Sequence, residues 1–190
     1  MEDKMNETQK NLRRAFAGES MARNKYYQFG LKAKKEGYRS VARIFKETED
    51  NERAHAERLQ ELMKGKPKVD LTGYTVPPVG DTKVNLAEAI AGEHYETSKM
   101  YPEFYATALD EGEKEIAKTF KEIGEVEEWH ENRYKALLKN LKDGIMFKRD
   151  KPIRWKCLNC GYVHEGKSAP KVCPACNHPQ AFYEVWCKPY

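Results

Sequence analysis

The feature that most constrains the fold of this chain is a Glu-x-x-His motif that occurs twice. The second copy follows the first by 75 positions, and a single glutamate stands 33 or 34 positions before each copy. Residues three apart lie on neighbouring turns of one helix face, so each motif presents a carboxylate and an imidazole together. The repeat predicts two helix pairs related by pseudo-twofold symmetry. The residues concerned are Glu19 with Glu52 and His55, and Glu93 with Glu127 and His130.

Apolar residues that recur about every 3.5 positions predict four long helices. Gly37 is expected to end the first helix, and Asn85 is a good cap residue for the start of the third. Pro102 lies inside the third helix and is expected to kink it or to interrupt its hydrogen bonding. The predicted helices cover roughly residues 7–36 and 38–64, a segment that begins after Asn85, and residues 113–140.

Glycine and proline are frequent in residues 65–84, which predicts a long connection between the second and third helices. Such a connection lets the chain cross over the end of a bundle. We therefore predict an all-α four-helix bundle over residues 1–146 and a small second domain over residues 147–190. A linker is expected at residues 141–153.

Five glutamates and two histidines fall on the apolar stripes of the predicted helices, so the bundle is expected to direct them inward. Carboxylates are rarely buried without a partner, and clustered like charges destabilise one another. Two ferrous ions would bring four positive charges and two ferric ions would bring six. These numbers lie on either side of the five negative charges of the carboxylates. Helix-bundle di-iron proteins use this ligand pattern, and oxygen and imidazole ligands suit iron or manganese. The predicted di-metal ligands are Glu19, Glu52, His55, Glu93, Glu96, Glu127 and His130.

Three of the residues on these faces have more than one interpretation. Glu96 is one acid more than the minimal set of ligands requires, and spacing alone also allows a solvent-exposed residue at the rim. Tyr26 and Tyr101 lie about two turns beyond Glu19 and Glu93 on the same helix faces. Their hydroxyls are placed to hydrogen-bond ligand carboxylates, although packing alone would also explain a tyrosine at each position.

All five cysteines lie in the last 34 residues, and four of them form two Cys-x-x-Cys pairs separated by 12 residues. This spacing predicts a four-thiolate tetrahedral metal site, whose metal contributes to the stability of a module too small to fold on its core alone. Spacing leaves iron and zinc both open. Cys187 is expected to be a buried or spare thiol. The predicted ligands are Cys157, Cys160, Cys173 and Cys176.

Composition excludes several other classes of protein. No apolar run approaches the roughly 20 residues of a membrane span, and the first residues lack the apolar segment of a secretion signal. We expect a cytoplasmic protein. Residues 154–190 hold five Lys and Arg against two Glu, which is typical of a solvated face, and we expect no nucleic-acid partner.

Together these residues resemble the rubrerythrin family, and the resemblance covers nearly the whole chain. The knuckles Cys157-x-x-Cys160-Gly-Tyr and Cys173-Pro-x-Cys176 are similar to those of rubredoxins, with the shortened separation of the rubrerythrin version. Asn177 stands where many rubredoxins have glycine, and asparagine tolerates the left-handed conformation that this turn requires. The resemblance implies a ferritin-like bundle followed by a rubredoxin-like, metal-bound β domain.

The resemblance also implies roles for individual residues. Glu52 and Glu127 match bridging carboxylates, whereas Glu96 and His55 match a pair that exchange at one iron with redox state. The family implies two irons in the bundle and one at the cysteines of each subunit, with zinc as a substitute. It further implies a homodimer in which one subunit's cysteine site lies near the other subunit's di-iron site. The residues that match terminal ligands are Glu19, Glu93 and His130.

The function implied by this resemblance is that of a peroxidase that protects against oxidative stress. The di-iron pair would reduce hydrogen peroxide to water, and the four-cysteine iron would return electrons to it one at a time. The external donor would be an NAD(P)H-dependent reductase or a separate rubredoxin. Two alternatives remain open: a ferritin-like ferroxidase that handles iron, and a non-enzymatic module with structural zinc in the tail.

Overall fold

The computed structural model describes residues 6–65 and 68–187, and within these ranges it contains five α-helices. They are α1 (Glu7–Lys35), α2 (Arg39–Glu61), α3 (Thr82–Tyr95), α4 (Tyr101–Asp110) and α5 (Lys114–Lys142). α1 packs against α2, and α3 and α4 both pack against α5. Because α3 and α4 join end to end, the helices form the predicted four-helix bundle. Residues 66 and 67 of the predicted connection lie outside the described ranges.

The two helices of the first pair begin and end close to where the sequence predicts. The Asn6 side chain accepts a hydrogen bond of 3.0 Å from the Gln9 N–H at the start of α1, which satisfies one free donor of the first turn. Gly37 follows the end of α1 with φ of +85°, a conformation that glycine adopts without strain. None of the helices in the described ranges is long and apolar enough to span a membrane.

The predicted start of the third helix was wrong by one turn. α3 begins at Thr82, and its cap is Asp81, whose side chain accepts from the Val84 N–H. Asn85 is buried inside the first turn, where its side chain bonds both the N–H and the carbonyl of Gly80. Aspartate and asparagine cap equally well, so burial rather than residue type decided between the two positions.

A π-helical turn, Glu96–Met100, joins α3 to α4. The Tyr101 N–H bonds the carbonyl of Glu96, five residues earlier, so one residue more than in an α-helix is accommodated. Pro102 then lies in the first turn of α4. The expected interruption near Pro102 is confirmed, and it takes the form of an inserted residue within a continuous helix.

The apolar core of the bundle is divided into two clusters. Along α1, Leu12 and Ala15 belong to one cluster, while Ala22 and Tyr26 belong to the other. The buried Glu19 lies between them in sequence. The other helices repeat this arrangement, so a layer of polar side chains separates the two halves of the core.

The C-terminal region forms a small antiparallel sheet in the order β2-β1-β3. Its strands are β1 (Lys148–Cys157), β2 (Val163–Ser168) and β3 (Tyr183–Val185). β1 begins within the predicted linker, so the prediction of a linker through residue 153 was wrong. The first half of β1 is charged and mostly exposed, with an irregular register between Lys148 and Ile153, which explains why it carries no alternating apolar signal.

The sheet region contacts the outer face of α2. The guanidinium of Arg39 lies 3.7 Å from the centre of the Phe182 ring. Arg43 donates to the Glu184 carboxylate with an Nη2–Oε2 distance of 2.8 Å. These contacts hold the C-terminal module against the bundle.

Candidate metal centre

The four helices of the bundle place four glutamates in one buried layer. Glu19, Glu52, Glu93 and Glu127 come from α1, α2, α3 and α5, and each side chain is almost wholly buried. With two histidines they form two groups, in each of which every residue offers one ligand atom and these atoms lie within 4.8 Å of one another. The groups are Glu19, Glu52, His55 and Glu127, and Glu52, Glu93, Glu127 and His130.

Glu52 and Glu127 belong to both groups because each carboxylate reaches both imidazoles. Nδ1 of His55 lies 3.0 Å from Oε2 of Glu52 and 3.0 Å from Oε1 of Glu127. Nδ1 of His130 lies 3.3 Å from Oε1 of Glu52 and 2.6 Å from Oε2 of Glu127. Each glutamate thus offers one oxygen to each group, which is the arrangement of a carboxylate that bridges two metal ions.

Glu96 lies apart from both groups. It is half-buried in the π-helical turn, and a Cβ added at Gly18 would be 3.9 Å from its Oε1 atom. Its carboxylate therefore lies against the backbone of α1 rather than among the other acids. Of the seven predicted ligands, the structure brings six together and leaves Glu96 at the edge.

Many buried polar atoms of this layer have no hydrogen-bond partner among the described residues. Buried polar groups normally find partners, since an unpaired one costs roughly 1–3 kcal/mol. Converging carboxylate oxygens and imidazole nitrogens are the donor set that iron prefers, so these side chains fit a pair of metal ions. The unpartnered atoms are Glu19 Oε2, Glu52 Oε1, Glu93 Oε2, both carboxylate oxygens of Glu127, and His130 Nδ1.

The electrostatics of the layer favour protons where a metal is not bound. Burial raises the pKa of Glu19 to about 7, although the nearby imidazole of His55 acts in the opposite direction. Burial also raises the pKa of Glu127 well above its ordinary value, and the charges of Glu52 and Glu19 add to this effect. Burial also raises the pKa of Glu96, and the charges of Glu19 and Glu93 add to this effect. Ionising all of these carboxyls requires a compensating cation.

The two histidines show the complementary effect. Burial alone would lower the pKa of His130, but the close carboxylates of Glu127 and Glu52 outweigh burial and raise that pKa to about 12. The pKa of His55 is raised for the same reason, against the effect of burial. Metal ligation requires neutral imidazoles, so metal ions must displace protons from this site.

Two buried tyrosines, Tyr26 and Tyr101, each donate a hydroxyl across the bundle to a glutamate of the opposite helix pair. Tyr26 on α1 donates to Oε1 of Glu93, and Tyr101 on α4 donates to Oε1 of Glu19. Burial raises the pKa of both phenols well above the ordinary value, so both stay protonated as donors. The two bonds run in opposite directions between the helix pairs, and each orients one carboxylate oxygen, that of Glu93 or that of Glu19.

Two pockets reach this centre from different directions. A pocket of about 950 Å³ lies beside α1, α3 and the connection before α3, and Gly18, Tyr74 and Glu96 contribute to its walls. A smaller, open pocket of about 470 Å³ lies between α2 and α5, with His55 in its wall. The predicted ligands that border solvent-filled space are therefore Glu96 and His55.

The four predicted cysteines converge at one end of the C-terminal sheet. The Sγ–Sγ distances are 3.8 Å between Cys157 and Cys176 and 3.7 Å between Cys160 and Cys173. A tetrahedron with metal–sulfur bonds near 2.3 Å has edges of about 3.8 Å, so these side chains fit one tetrahedral ion. The fifth cysteine, Cys187, is exposed and lies outside this group.

The pKa values of two of these thiols are shifted in opposite directions. Burial would raise the pKa of Cys176, but the backbone N–H of His178 and neighbouring thiols lower it to about 6. In Cys160 a backbone hydrogen bond lowers the pKa, but the other thiols outweigh it and raise the value to about 12. Four thiolates so close together need a cation, and a bound metal would supply that charge.

The two knuckles that carry the cysteines have the same backbone shape. The Gly161 N–H bonds the Cys157 carbonyl, and the Asn177 N–H bonds the Cys173 carbonyl. Gly161 and Asn177 have φ of +79° and +60°. Asn177 therefore takes up the left-handed conformation predicted for it.

Comparison with known proteins agrees with this geometry. Residues 10–138 match the family described as Rubrerythrin, and residues 155–184 match the family described as Rubrerythrin, rubredoxin-like domain. The chain belongs to the rubrerythrin family. Rubrerythrin-1 of Clostridium acetobutylicum is 48% identical to it over 187 residues, which cover 96% of each protein.

Solved structures with a similar fold include nigerythrin and a bacterioferritin. Nigerythrin in its fully reduced, all-ferrous state has a TM-score of 0.66 at 29% identity, covering 98% of this chain and 90% of that chain. The bacterioferritin of Desulfovibrio desulfuricans, a structure with a di-iron site, has a TM-score of 0.67 at 22% identity, covering 73% and 82%. The bundle of this rubrerythrin-family protein is ferritin-like, and the sheet module is rubredoxin-like.

Family and geometry together support an iron-based oxidoreductase whose rubredoxin-like domain transfers electrons.

One residue next to the centre was not predicted from the sequence. Oδ1 of Asn51 lies 3.3 Å from Nε2 of His130, on the side of the ring that faces away from the glutamates. Its only sequence signal is its position directly before Glu52, which does not reveal a contact with another helix.

Proposed function

We propose that this rubrerythrin-family protein reduces hydrogen peroxide to water at a di-iron centre and receives the electrons through its four-cysteine iron site. The observation that carries the proposal is the pairing of two redox-type sites in one chain. The bundle contains a buried centre whose two groups of ligands share Glu52 and Glu127. A four-thiolate site lies in the C-terminal module of the same chain. Iron storage would need no built-in electron-transfer module.

The ligand assignment follows from which atoms converge. Glu52 and Glu127 would bridge the two ions, while Glu96 and His55 would exchange at one of them. When bound, two ferrous ions would supply two electrons, which together with two protons from solvent convert one hydrogen peroxide into two waters. The terminal ligands would be Glu19, Glu93 and His130.

The large pocket is the proposed route for peroxide. Gly18 and Glu96 contribute to its walls, so a small polar molecule in the pocket reaches Glu96 without passing the buried glutamates. The absence of a side chain at Gly18 leaves the Glu96 carboxylate accessible. Tyr101 keeps its proton and holds Glu19 in place, which preserves the shape of the centre as charges change.

The exposure of the cysteine site supports electron exchange with a donor outside the bundle. Cys160 is exposed whereas Cys157 and Cys173 are buried, so one edge of the site faces solvent. The donor would be an NAD(P)H-dependent reductase or a separate rubredoxin in the cytoplasm. We further propose two irons in a bundle of residues 1–146 and one, replaceable by zinc, in residues 147–190. The protein would act as a homodimer that brings each cysteine site near the partner's centre.

The proposal is tested by anaerobic titration of the reduced, iron-loaded protein with hydrogen peroxide. One equivalent of peroxide should oxidise the bundle irons rapidly. The colour of the ferric four-cysteine site should return as that site passes its electron onward. Glu127→Ala should abolish this response, whereas the neighbouring Glu128→Ala, on the exposed face of α5, should retain it.

Two results would redirect the assignment. Slow reaction with peroxide together with fast turnover of added Fe(II) and oxygen would support the ferroxidase instead. A colourless protein with zinc at the cysteines and no redox response would support a structural module. Metal analysis of each sample distinguishes poor loading from inactivity.

A further inference from the structure

The two histidines of the centre have different surroundings on the far side of their rings. Nε2 of His130 meets Oδ1 of Asn51 at 3.3 Å. Among the described residues, Nε2 of His55 has no hydrogen-bond partner, and its ring borders the smaller pocket. Both rings direct Nδ1 at the glutamates, so the difference lies entirely behind the rings.

The pseudo-symmetry of the chain identifies the residue responsible. A shift of 75 positions relates His55 to His130, and the same shift relates Asn51 to Val126. Both positions are half-buried. Asparagine offers a carbonyl oxygen to the imidazole of the opposite helix, whereas valine has no polar atom to offer.

The neighbouring ion pairs also depart from the pseudo-symmetry. Glu47 on α2 accepts from Arg133 on α5, with a distance of 2.8 Å between Oε1 and Nη1. The equivalent pair, Glu122 and Arg58, makes no such contact in the described part of the chain. Arg58 donates instead to Glu115 at 2.6 Å. An ion pair therefore joins α2 to α5 on both sides, but on the His55 side it is shifted along α5 from Glu122 to Glu115.

We propose that Asn51 is a positioning residue that fixes His130 and so makes the two metal positions unequal, while Val126 leaves the ring of His55 free to turn. The proposal rests on the proposed di-iron centre. A neutral imidazole that ligates through Nδ1 carries its proton on Nε2, and this Nε2–H donates a hydrogen bond to the Asn51 oxygen. This bond holds both the tautomer and the ring plane. His55 has no equivalent restraint.

The test is an anaerobic Fe(II) titration of the full-length apoprotein after its cysteine site has been filled, with a ferrous chelator as competitor. Asn51→Val should weaken Fe(II) binding at one of the two bundle positions by about 10–100-fold and leave the other nearly unchanged, as for other partners of metal-bound histidines. Asn51→Asp retains an acceptor oxygen and should restore binding to within a few-fold. Asn132→Val, on the exposed face of α5, is the matched control for the same substitution.

Equal binding by wild type and Asn51→Val would overturn the proposal, and so would equal weakening of both positions or no rescue by Asn51→Asp. The converse variant tests the role of Val126 beside His55. Val126→Asn should slow the release of the more weakly bound iron several-fold, and an unchanged release rate would refute the role given to Val126. Neither experiment uses peroxide, so failure here is distinct from failure of the peroxidase assignment.

Discussion

At the residue scale, the carboxylates of the centre depend on donors from the opposite helix pair. Tyr101 donates to Glu19 and Tyr26 donates to Glu93. Because each bond joins the two pairs, a single hydroxyl affects both the orientation of a ligand and the contact between helices.

Tyr101→Phe removes one of these donors and leaves the ring in place. We expect Fe(II) binding to weaken by about tenfold or more, because Glu19 loses the bond that orients it. Tyr134→Phe is the matched control, since the buried Tyr134 hydroxyl has no hydrogen-bond partner among the described residues. Chelator competition measures the effect, and equal affinities for the two variants would contradict it.

Iron binding is expected to release protons and to strengthen as pH rises. The pKa of Glu19 is raised to about 7 and that of His130 to about 12, so both are largely protonated in the metal-free protein at pH 6. Ligation needs them deprotonated. Calorimetric titration in buffers of different ionisation enthalpy counts the released protons. Affinity that stays constant between pH 6 and pH 8 would refute this prediction.

At the element scale, the π-helical turn explains a mismatch in the repeat. Glu19 and Glu93 are 74 positions apart, whereas Tyr26 and Tyr101 are 75 apart. The extra residue lies between Glu93 and Tyr101, and the π-helical turn accommodates it. Tyr101 therefore reaches its glutamate as Tyr26 does. Glu96 lies at the pocket wall, although its counterpart Ala22 is buried in the core.

Removing the extra residue should separate metal binding from peroxide turnover. Deletion of Ser98 together with Pro102→Ala should give one regular helix in which Tyr101 still faces Glu19 and Glu96 turns toward the core. Fe(II) binding to the buried groups should persist, while peroxide turnover falls by about 100-fold because a group beside the substrate is misplaced. Pro102→Ala alone is the control, and equal turnover in both variants would contradict this account.

The start of α3 depends on a carboxylate at the end of α1. Glu36 accepts from the Thr82 N–H at 2.9 Å and from its hydroxyl at 2.6 Å. Burial would raise the pKa of Glu36, but the bonds from Thr82 outweigh it and lower that pKa. The resulting stability is present above the unfolded-state pKa near 4.5 and is lost as pH falls through the lower folded value.

Glu36→Gln keeps one acceptor and removes the charge. We expect the free energy of unfolding of the apoprotein to fall by about 0.5–1 kcal/mol at pH 7, since this carboxylate is partly exposed. The difference from wild type should shrink as pH falls below the unfolded-state pKa near 4.5. Urea unfolding followed by the helical circular dichroism signal measures both values, and a difference independent of pH would count against the prediction.

At the scale of the whole molecule, the sequence predicted what periodicity and ligand chemistry encode. Acids on apolar stripes and two Cys-x-x-Cys pairs were enough for the bundle, the buried layer and the thiolate site. Contacts between elements were not predictable, because they depend on how helices rotate and pack. Asn51 beside His130 is one example, and Arg43 with Glu184 is another. The polar first half of β1 gave no signal because only its pairing makes it a strand.

The C-terminal module is expected to depend on its metal for folding. Its core is small, and ligation by four thiolates contributes on the order of 10 kcal/mol. Cys173→Ser should therefore abolish amide protection in β1, β2 and β3 while the helices remain protected. Cys187→Ser is the matched control, since that exposed thiol lies outside the site. Hydrogen exchange with mass spectrometry measures both regions, and a protected sheet in Cys173→Ser would contradict the prediction.

The divided core of the bundle has a consequence for the lifetime of the protein in a cell. Two apolar clusters separated by buried acids cannot reinforce each other fully until cations neutralise the layer between them. A chain made during iron starvation therefore spends more time unfolded and is degraded sooner. Cellular abundance would then follow iron supply without any change in transcription, and a pulse–chase comparison of iron-replete and iron-starved cells would measure this dependence.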